Sequence, residues 1–270
     1  STEGVLDASD KDGGIELGHW PVDGLPMPDG IDTYRWRGQN LVVTANEGDG
    51  REWGDFNDSE RVSDLDLCAA EFPGAKALQK KDALGRLKVL TDLGYDSERE
   101  CHSSLTTLGG RSFSIYTADG TRLFDSAGMI EEQIARLVAA GELPEHAFNA
   151  NNDETPSGDS RSDDKGPEPE SVVVGTIQGR TYAFVGLERI GGVVVFDITD
   201  PRNATYVDYV NDRDWDAAGD DAAAGLGDMG AEGLTFVPAD ESPSGTALLI
   251  VANEVSGSTT VYEVDPTRRQ

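Results

Sequence analysis

Six acidic residues recur at matching places in three similar stretches of the chain, and carboxylates in such a pattern could bind a metal ion. Each stretch opens with one acid and ends in a glutamate. The opening acids are Asp29, Glu170 and Glu232, and the closing glutamates are Glu47, Glu188 and Glu254. Hard cations such as Ca²⁺ take several oxygen ligands. The pattern therefore favours a site for Ca²⁺ or another divalent metal.

A β-hairpin is the element that must position each pair of acids. The second apolar run of each stretch (41–44, 181–185 and 247–251) is rich in β-branched and aliphatic residues, and Gly or Pro bounds it. The start of the first strand and the end of the second lie at the same end of a hairpin. The opening acid and the closing glutamate of each stretch should therefore lie side by side.

Further strands follow each hairpin, and the unit as a whole recurs three times. A third strand is expected at 111–117, 193–198 and 259–264, and a fourth at 122–124 and 205–209. A supersecondary unit that recurs in this way is typical of a repeat architecture. Four antiparallel strands in each unit, repeated around an axis, make the blade of a β-propeller. We therefore predict an all-β fold, a partial β-propeller ring of four-stranded antiparallel blades with one short helix in an insertion.

The propeller predicts where the six carboxylates lie. The first two strands of a blade are nearest the axis, so these acids should converge on one rim of the central channel. Like charges that close together raise one another's pKa, and they cost free energy unless cations lie among them. Calcium or arginine can supply that charge. A β-sandwich with accidental internal similarity is the alternative, but it gives no reason for the recurring terminal glutamate.

The chain divides into five predicted segments. The first segment, residues 1–27, is the end of a preceding blade and contains an outer strand at 14–20. The first blade covers residues 28–125 and contains an insertion at 48–108. A helix and a polar loop follow at 126–168, and two further blades cover residues 169–210 and 211–270. Propellers have about four to eight blades, so about three blades plus one strand cannot close a ring. We expect the missing blades to come from another chain or fragment.

Four local features complete the prediction, and the last three leave alternatives open. A helix is expected at 126–141, capped by Ser126, ended by Gly141 and carrying an apolar stripe. Cys68 and Cys101 could form one disulfide or remain two thiols. The polar tract 149–164 could be a flexible linker, although its continuation at 160–170 should hang over the rim. The acidic loop 211–228 could be a calcium loop or a solvated surface.

The formal net charge of −29 limits the possible partners. It disfavours nucleic acid and anionic membranes as ligands and implies cations in the native environment. The longest apolar runs have strand length, so no transmembrane segment is expected. No signal peptide begins the sequence, although a mature exported protein would have lost one. Salt screens the self-repulsion of such a surface, which leads to the hypothesis of a marine or halophilic source.

Several motifs carry a resemblance that extends over nearly the whole chain. They include SDKDGGIEL at 9–17, ANEGDGRE at 45–52, RSDDKGPEPE at 161–170, GLERIGG at 186–192 and ANEVSGSTTVYEV at 252–264. The chain resembles the choice-of-anchor I domain family, a secreted propeller-like family with alkaline phosphatase-like and mesenchyme-specific cell-surface glycoprotein-like members. The resemblance implies a secreted, periplasmic or cell-surface protein. Analogy with propeller phytases implies phosphate-ester hydrolysis at a metal-filled channel mouth.

Two function classes follow. In the first, the protein is a metal-dependent phosphoric ester hydrolase. The six acids hold Ca²⁺, which can polarise a phosphoryl oxygen, and Arg189, Arg111 and Lys165 contact the phosphate. In the second, it is a non-catalytic surface module in which calcium or arginine neutralises the acidic ring. The sequence contains no obvious nucleophile with an adjacent base, which favours the module. The basic residues could equally pair with the carboxylates.

Overall fold

A computed structural model describes residues 5–217, 219–220 and 225–265. The other residues, which belong to the predicted first and last segments and to the acidic loop 211–228, lie outside the described residues. The fold is mostly β, with several antiparallel sheets, and it is a partial β-propeller as the repeats predict. Among the described helices, none is long and apolar enough to cross a membrane.

Two complete blades contain the strands that the first two repeats predict. The first blade consists of Ile31–Trp36, Gln39–Asn46, Ser112–Thr117 and Arg122–Asp125, in that order across the sheet. The second consists of Pro169–Ile177, Arg180–Leu187, Val193–Asp197 and Thr205–Val210. All neighbouring strands within each blade are antiparallel. The two hairpin predictions are confirmed.

The third blade has three strands within the described residues. They are Ala231–Val237, Ala247–Asn253 and Ser258–Val264, and their pairing is antiparallel throughout. This order matches the first three strands of the other blades. The third occurrence of the hairpin is therefore also confirmed, including its longer turn between the first two strands.

Apolar faces hold neighbouring blades together. The rings of Phe113 in the first blade and Phe196 in the second have centroids 4.6 Å apart. Between the second and third blades, Phe184 and Phe236 stack at 5.7 Å. Gly175 permits the second contact, because a Cβ there would lie 2.6 Å from the Phe236 ring. Aromatic pairs at these distances add to the free energy gained from burying apolar surface.

The predicted helix is present as Met129–Ala140 and is the one described helix longer than a single turn. Ile130 and Ile134 are fully buried against the first two blades, as the apolar stripe predicts. Gly141 ends the helix in the left-handed conformation, with φ 76°. Gly128, and not Ser126, is the N-cap residue, because the Ser126 hydroxyl accepts a hydrogen bond from the Phe113 N–H at 2.9 Å.

The insertion forms a small sheet that also includes two residues of the N-terminal segment. Its strands are, in order, Asp23–Gly24, Thr106–Thr107, Lys88–Leu90 and Ser59–Arg61, and the first pair is parallel. A separate core of buried aliphatic residues supports it. The remaining short elements are the helix Ala75–Leu78, the 3₁₀ turns Val62–Asp64, Leu84–Arg86 and Glu145–Ala147, and the strand pairs Glu52–Trp53 with Phe56–Asn57, Tyr95–Asp96 with Cys101–His102, and Glu154–Thr155 with Gly219–Asp220.

The N-terminal segment differs from the prediction. Residues 14–20 do not form an outer blade strand, and their only ladder contact is a bridge between Gly18 and Leu6. The segment packs on the inserted sheet, where Leu6 and Val22 join its core, and on the core of the blades, where Ile15 and Leu17 pack. The physical reason is that the segment's buried apolar residues find partners in the insertion. Its assignment to the end of a preceding blade stays a prediction.

Two alternatives left open by the sequence are decided here. Cys68 and Cys101 form a disulfide across 33 residues of chain. The polar tract 149–164 is anchored within the fold, because the Asn149 amide donates hydrogen bonds to Glu131 and Ser162, both at 2.8 Å. Asp163 is also buried. This tract is therefore not a linker, and it carries residues into the candidate site.

Candidate functional site

The opening and closing acids of each hairpin lie at the same end, as the sequence predicts. Glu170 falls in a register shift between Pro169 and Ser171, and Glu232 falls in the matching shift of the third blade. Both acids therefore sit at β-bulges, which bend a strand and re-aim its side chains. Asp29 precedes the first strand of its blade, and its N–H donates to Ala45 O at 3.0 Å.

A backbone contact joins the first two repeats at this end. The N–H of Gly30 donates to Glu170 O at 2.7 Å, and a Cβ on Gly30 would lie 2.5 Å from that oxygen. Gly109 makes a similar close approach, because a Cβ there would lie 1.8 Å from Glu47 O. These glycines allow the backbones that carry the acids to come together.

The residue two positions before each opening acid has a left-handed backbone conformation in all three repeats. Met27, Glu168 and Gly230 have φ of 45°, 52° and 75°. In the second and third blades this residue accepts a hydrogen bond from the closing glutamate: Glu188 N–H to Glu168 O at 2.9 Å, and Glu254 N–H to Gly230 O at 2.8 Å. Left-handed φ is unfavourable for a residue with a side chain. Strain of this kind often marks a functional position.

Glu168 is the centre of the site. It is fully buried at 0% exposure, and three basic side chains surround its carboxylate. Arg161 Nη2 lies 2.5 Å from its Oε1, Lys165 Nζ lies 2.8 Å from its Oε2, and Arg189 Nε lies 3.3 Å from the same oxygen. A carboxylate is buried without excessive cost only when it is paired and hydrogen-bonded in this way.

Two of these cations also bind the predicted closing glutamates. Lys165 Nζ lies 2.5 Å from Glu47 Oε1, so it bridges the first and second blades. Arg189 Nη2 lies 3.1 Å from Glu188 Oε1. The Asn152 amide donates to the same oxygen at 3.1 Å and accepts from Arg189 Nη1 at 2.8 Å. Arginine and lysine thus supply positive charge at the inner part of the rim.

The pKa values of the three inner glutamates differ, because each glutamate has different charged neighbours. Burial by itself would raise the pKa of Glu168, but the charges of Arg161, Lys165 and Arg189 outweigh it and hold that pKa at about 2. Burial raises the pKa of Glu47 to about 7, against the opposing charge of Lys165. Burial, with the charge of Glu168, raises the pKa of Glu188 to about 7. Glu168 is therefore the permanently charged member.

The remaining acids form an outer group, defined as Asp29, Glu170, Glu232 and Glu254. Burial, together with the charges of Glu188, Glu232, Glu47 and Asp29, raises the pKa of Glu170 to about 8. Burial and the neighbouring Glu254 raise the pKa of Glu232. Within the described part of the chain, Glu170 Oε2 is buried and has no hydrogen-bond partner. The six predicted acids thus influence one another electrostatically.

The three inner glutamates are close enough to one another to be considered as ligands of one metal ion. One oxygen from each of Glu47, Glu168 and Glu188 lies within 4.8 Å of the others. Ca²⁺ needs six to eight oxygen ligands, and Lys165 and Arg189 already occupy these carboxylates. The inner group therefore fits an ion-pair cluster better than a calcium cage. In the outer group, the orphaned Glu170 oxygen fits a cation better.

The predicted phosphate-contacting residues are divided between two places. Arg189 and Lys165 lie at the inner glutamates, whereas Arg111 is 4% exposed and pairs with Glu131 at 3.0 Å. Its guanidinium also donates to the carbonyl oxygens of Asp7, Ser162 and Asp164. Arg111 therefore holds the N-terminal segment and the 162–164 loop to the first blade.

Sequence reasoning missed Glu168 as a member of the site, whereas it expected Arg161 in a rim loop. Glu168 does not align with another acid, since Met27 and Gly230 occupy its place in the other repeats. The signal that could have found it is local. A Gly-Pro-Glu-Pro run places prolines on both sides of Glu168, which restricts the backbone there.

Further ion pairs connect the site to the insertion. Arg161 lies 3.4 Å from Asp164, which pairs with Lys88 of the inserted sheet at 3.0 Å. Arg61 and Arg86 of the insertion both bind Asp163. The loop that carries Lys165 is thus held from the insertion side as well as by Glu168.

The fold and the site together define a propeller module with an acidic rim that basic residues neutralise on its inner side. The chain belongs to the choice-of-anchor I domain family, whose model matches residues 2–201. It is 30% identical over 234 residues to a mesenchyme-specific cell surface glycoprotein of Strongylocentrotus purpuratus, and 29% identical over 195 residues to gigasin-3a of Magallana gigas. These alignments cover 75% and 70% of this chain. The chain spans 29% of the sea urchin protein's length and 67% of the oyster protein's.

Proposed function

We propose that this chain is part of an extracellular or cell-surface binding module, in which an ion-pair cluster locks the blades and the outer carboxylates bind Ca²⁺. The observation that carries the proposal is the threefold pairing of Glu168 with Arg161, Lys165 and Arg189. The name of the sea urchin relative, a cell surface glycoprotein, supports the location.

The cluster acts as a lock because its members come from different elements. Glu47 directly follows the strand Gln39–Asn46 of the first blade, Glu188 directly follows the strand Arg180–Leu187 of the second, and Lys165 directly follows the anchored polar tract. Breaking a buried pair by removing one partner costs about 3–5 kcal/mol, because it leaves an uncompensated charge. Such a cluster fixes the relative placement of the blades.

Calcium binding is assigned to the outer group for an electrostatic reason. Asp29, Glu170, Glu232 and Glu254 crowd together, and no ion pair to a basic side chain is seen for any of them in the described residues. A divalent cation would relieve that repulsion and supply the missing partner of Glu170 Oε2. Other divalent metals with oxygen preference could occupy the same place.

Calcium titration tests this proposal. We expect CaCl₂ to raise the melting temperature and to bind in isothermal titration calorimetry, with the effect greatly reduced in Glu170→Gln. Glu263→Gln, on an exposed strand position of the third blade, is the matched control and should bind as the wild type does. Equal calcium effects in wild type and Glu170→Gln would refute the assignment to the outer group.

Hydrolysis of phosphate esters is the second candidate function. The observation that favours it is that Glu47, Glu168 and Glu188 approach within 4.8 Å with Lys165 and Arg189 beside them. Turnover of p-nitrophenyl phosphate, measured with calcium and with chelator, tests it. Activity that disappears with chelator and in Glu188→Gln would support the hydrolase. Absence of turnover in a folded, calcium-loaded protein would support the binding module.

The proposal also includes the further blades that would complete the propeller ring. The first blade exposes Ile31 at 64% and the third exposes Val261 at 55%. In a complete propeller such faces are covered by neighbouring blades. We propose that further blades, from another chain or a longer form of this one, cover them. A longer chain should then protect the amide of Val261 from hydrogen exchange.

A further inference from the structure

The sequence contains two copies of the acceptor motif for N-linked glycosylation, which is Asn-X-Ser or Asn-X-Thr with X other than proline. They are Asn57-Asp58-Ser59 in the insertion and Asn203-Ala204-Thr205 in the second blade. An N-linked oligosaccharide is bulky and needs a place on the surface of the protein. The two motifs differ in how they meet this need, and the difference favours the second.

A β-turn presents the second motif to solvent. Pro201 occupies the second position of this turn, where its fixed φ is favourable, and the N–H of Asn203 donates to Asp200 O at 3.0 Å. Asn203 and Thr205 are exposed, whereas Ala204 between them is buried in the core of the blades. The middle residue therefore anchors the motif, and the two residues that define it lie on the surface.

The functional groups of the second motif are available, and those of the first are engaged. Within the part of the chain that the structure describes, the Asn203 carboxamide and the Thr205 hydroxyl form no hydrogen bond. The Asn57 carboxamide donates to Glu52 Oε1 at 2.9 Å and accepts from the N–H of Ser59 at 2.8 Å. Ser59 is buried, and its hydroxyl donates to Asn57 Oδ1 at 3.1 Å. The first motif is therefore closed in the folded chain.

The turn of the second motif lies at the end of its blade that is opposite to the acidic rim. Leu187, which precedes Glu188, donates its N–H to Gly192 O at 3.0 Å, so the strand Val193–Asp197 begins beside the rim. A strand of five residues spans about 17 Å at about 3.3 Å per residue. Asn203 follows the far end of this strand. A glycan at Asn203 would therefore leave the carboxylates of the rim accessible.

The same turn leads into a strand at the edge of the sheet. Thr205–Val210 is the last strand in the order of the second blade, and among the described residues no further strand pairs with its outer side. Val207 in this strand is 48% exposed. Unpaired strand edges can pair with other chains, and a bulky, solubilising group beside them hinders that association. A glycan at Asn203 would therefore protect this edge.

We propose that Asn203 carries an N-linked oligosaccharide. The proposal rests on the extracellular location in the proposed function, because such glycans are added to chains that are exported. The donor is an oligosaccharide linked to a polyprenyl diphosphate, and a membrane-bound oligosaccharyltransferase catalyses the transfer. The amide nitrogen of Asn203 bonds to C1 of the first sugar as the C1–O bond breaks. The polyprenyl diphosphate leaves with that electron pair, and a base of the transferase takes one amide proton.

Mass spectrometry of the secreted chain tests the proposal. The whole chain is directed by a signal peptide through a eukaryotic cell line that adds N-linked glycans, and its mass is measured before and after digestion with peptide N-glycosidase F. We expect digestion to remove one oligosaccharide and to leave aspartate at position 203. Asn203→Gln and Thr205→Ala should each abolish this change. Asn57→Gln removes the other motif and is the matched control, which should leave the change intact.

A conservative variant separates recognition of the motif from an effect on folding. Thr205→Ser keeps the hydroxyl and should keep the glycan that Thr205→Ala loses. A secreted wild-type chain without a glycan on Asn203, or with a glycan on Asn57 alone, would overturn the proposal and leave the extracellular location intact. Calcium titration of the glycosylated chain tests the proposed function separately, since a failure to bind calcium would not alter the mass at Asn203.

Discussion

The backbone N–H of Glu188 donates to the carbonyl oxygen of Glu168 at 2.9 Å, and Arg189 binds the carboxylates of both residues. Glu188 is the closing glutamate that the repeats identify. Glu168 has a left-handed backbone conformation, and the repeats do not identify it. This pair joins the hairpin geometry of the second blade to the ion-pair cluster, and it makes the stability of the blade depend on charge.

Neutralising Glu168 should destabilise the protein strongly. Glu168→Gln keeps the shape of the side chain but leaves Arg161, Lys165 and Arg189 with a deficit of negative charge in a buried place. We expect a loss of about 3–5 kcal/mol in the free energy of unfolding, measured by urea denaturation. Glu142→Gln at the exposed end of the helix is the control. A loss below that of the control would show that the cluster is not a structural lock.

Stability should fall as the pH rises from about 5 to 8 in the absence of calcium. The folded pKa values of Glu47 and Glu188 are about 7 and that of Glu170 is about 8, above the value of 4.5 for an unperturbed glutamate. In this window the unfolded chain releases these protons first, so it binds fewer protons than the folded chain and is favoured by rising pH.

At acid pH, Glu168 makes stability change with pH in the opposite direction. Its folded pKa is about 2, so its contribution to the free energy of unfolding is fully present above pH 4.5 and is lost as the pH falls toward 2. Melting temperatures across this range should pass through a maximum near pH 5. Glu170→Gln should flatten the alkaline side. An unchanged slope in that variant would show that Glu170 is not the responsible group.

Replacing Arg111 should affect folding and leave the rim intact. Lysine cannot reproduce the planar guanidinium that binds Glu131 and three carbonyl oxygens, so Arg111→Lys should cost on the order of 3 kcal/mol. Arg122→Lys, at an exposed ion pair, is the control. Calcium affinity should be unchanged in both. A selective loss of ligand binding without loss of stability would instead place Arg111 in a binding role.

Removing the disulfide should loosen the insertion more than the blades. The double variant Cys68→Ser/Cys101→Ser should cost about 4 kcal/mol, the value for a closed loop of this length. Hydrogen exchange should accelerate at the amides of the strand Lys88–Leu90 and change little in Arg180–Leu187. A uniform acceleration would mean that the insertion and the blades unfold as one unit.

Salt should stabilise the protein in spite of its ion pairs. The net charge of −29 produces self-repulsion that salt screens, whereas the buried pairs at Glu168 are screened much less. The melting temperature should therefore rise from low to molar NaCl. Melting temperatures should also be compared in sodium sulfate and sodium chloride at equal ionic strength. This comparison distinguishes charge screening from the exclusion of salt from the protein surface. A melting temperature that does not change with NaCl would contradict the halophilic hypothesis.

The sequence by itself determined the repeating hairpins, the helix and the location of Glu47 and Glu188. Each of these rests on local patterns: apolar runs bounded by glycine, an amphipathic stripe, and acids at fixed places in a recurring unit. The tertiary structure confirms the strands of all three repeats and the helix Met129–Ala140.

Only the tertiary structure decided how the acids are neutralised and what the N-terminal segment does. Glu168 and Arg161 meet Lys165 and Arg189 because the polar tract folds back on the second blade, and no local pattern encodes that return. The strand Asp23–Gly24 has two residues, too few to show a period, and its partner lies 83 residues along the chain, Asp23 with Thr106. Charge pairing and long-range packing depend on distances in space, which spacing along a chain does not fix.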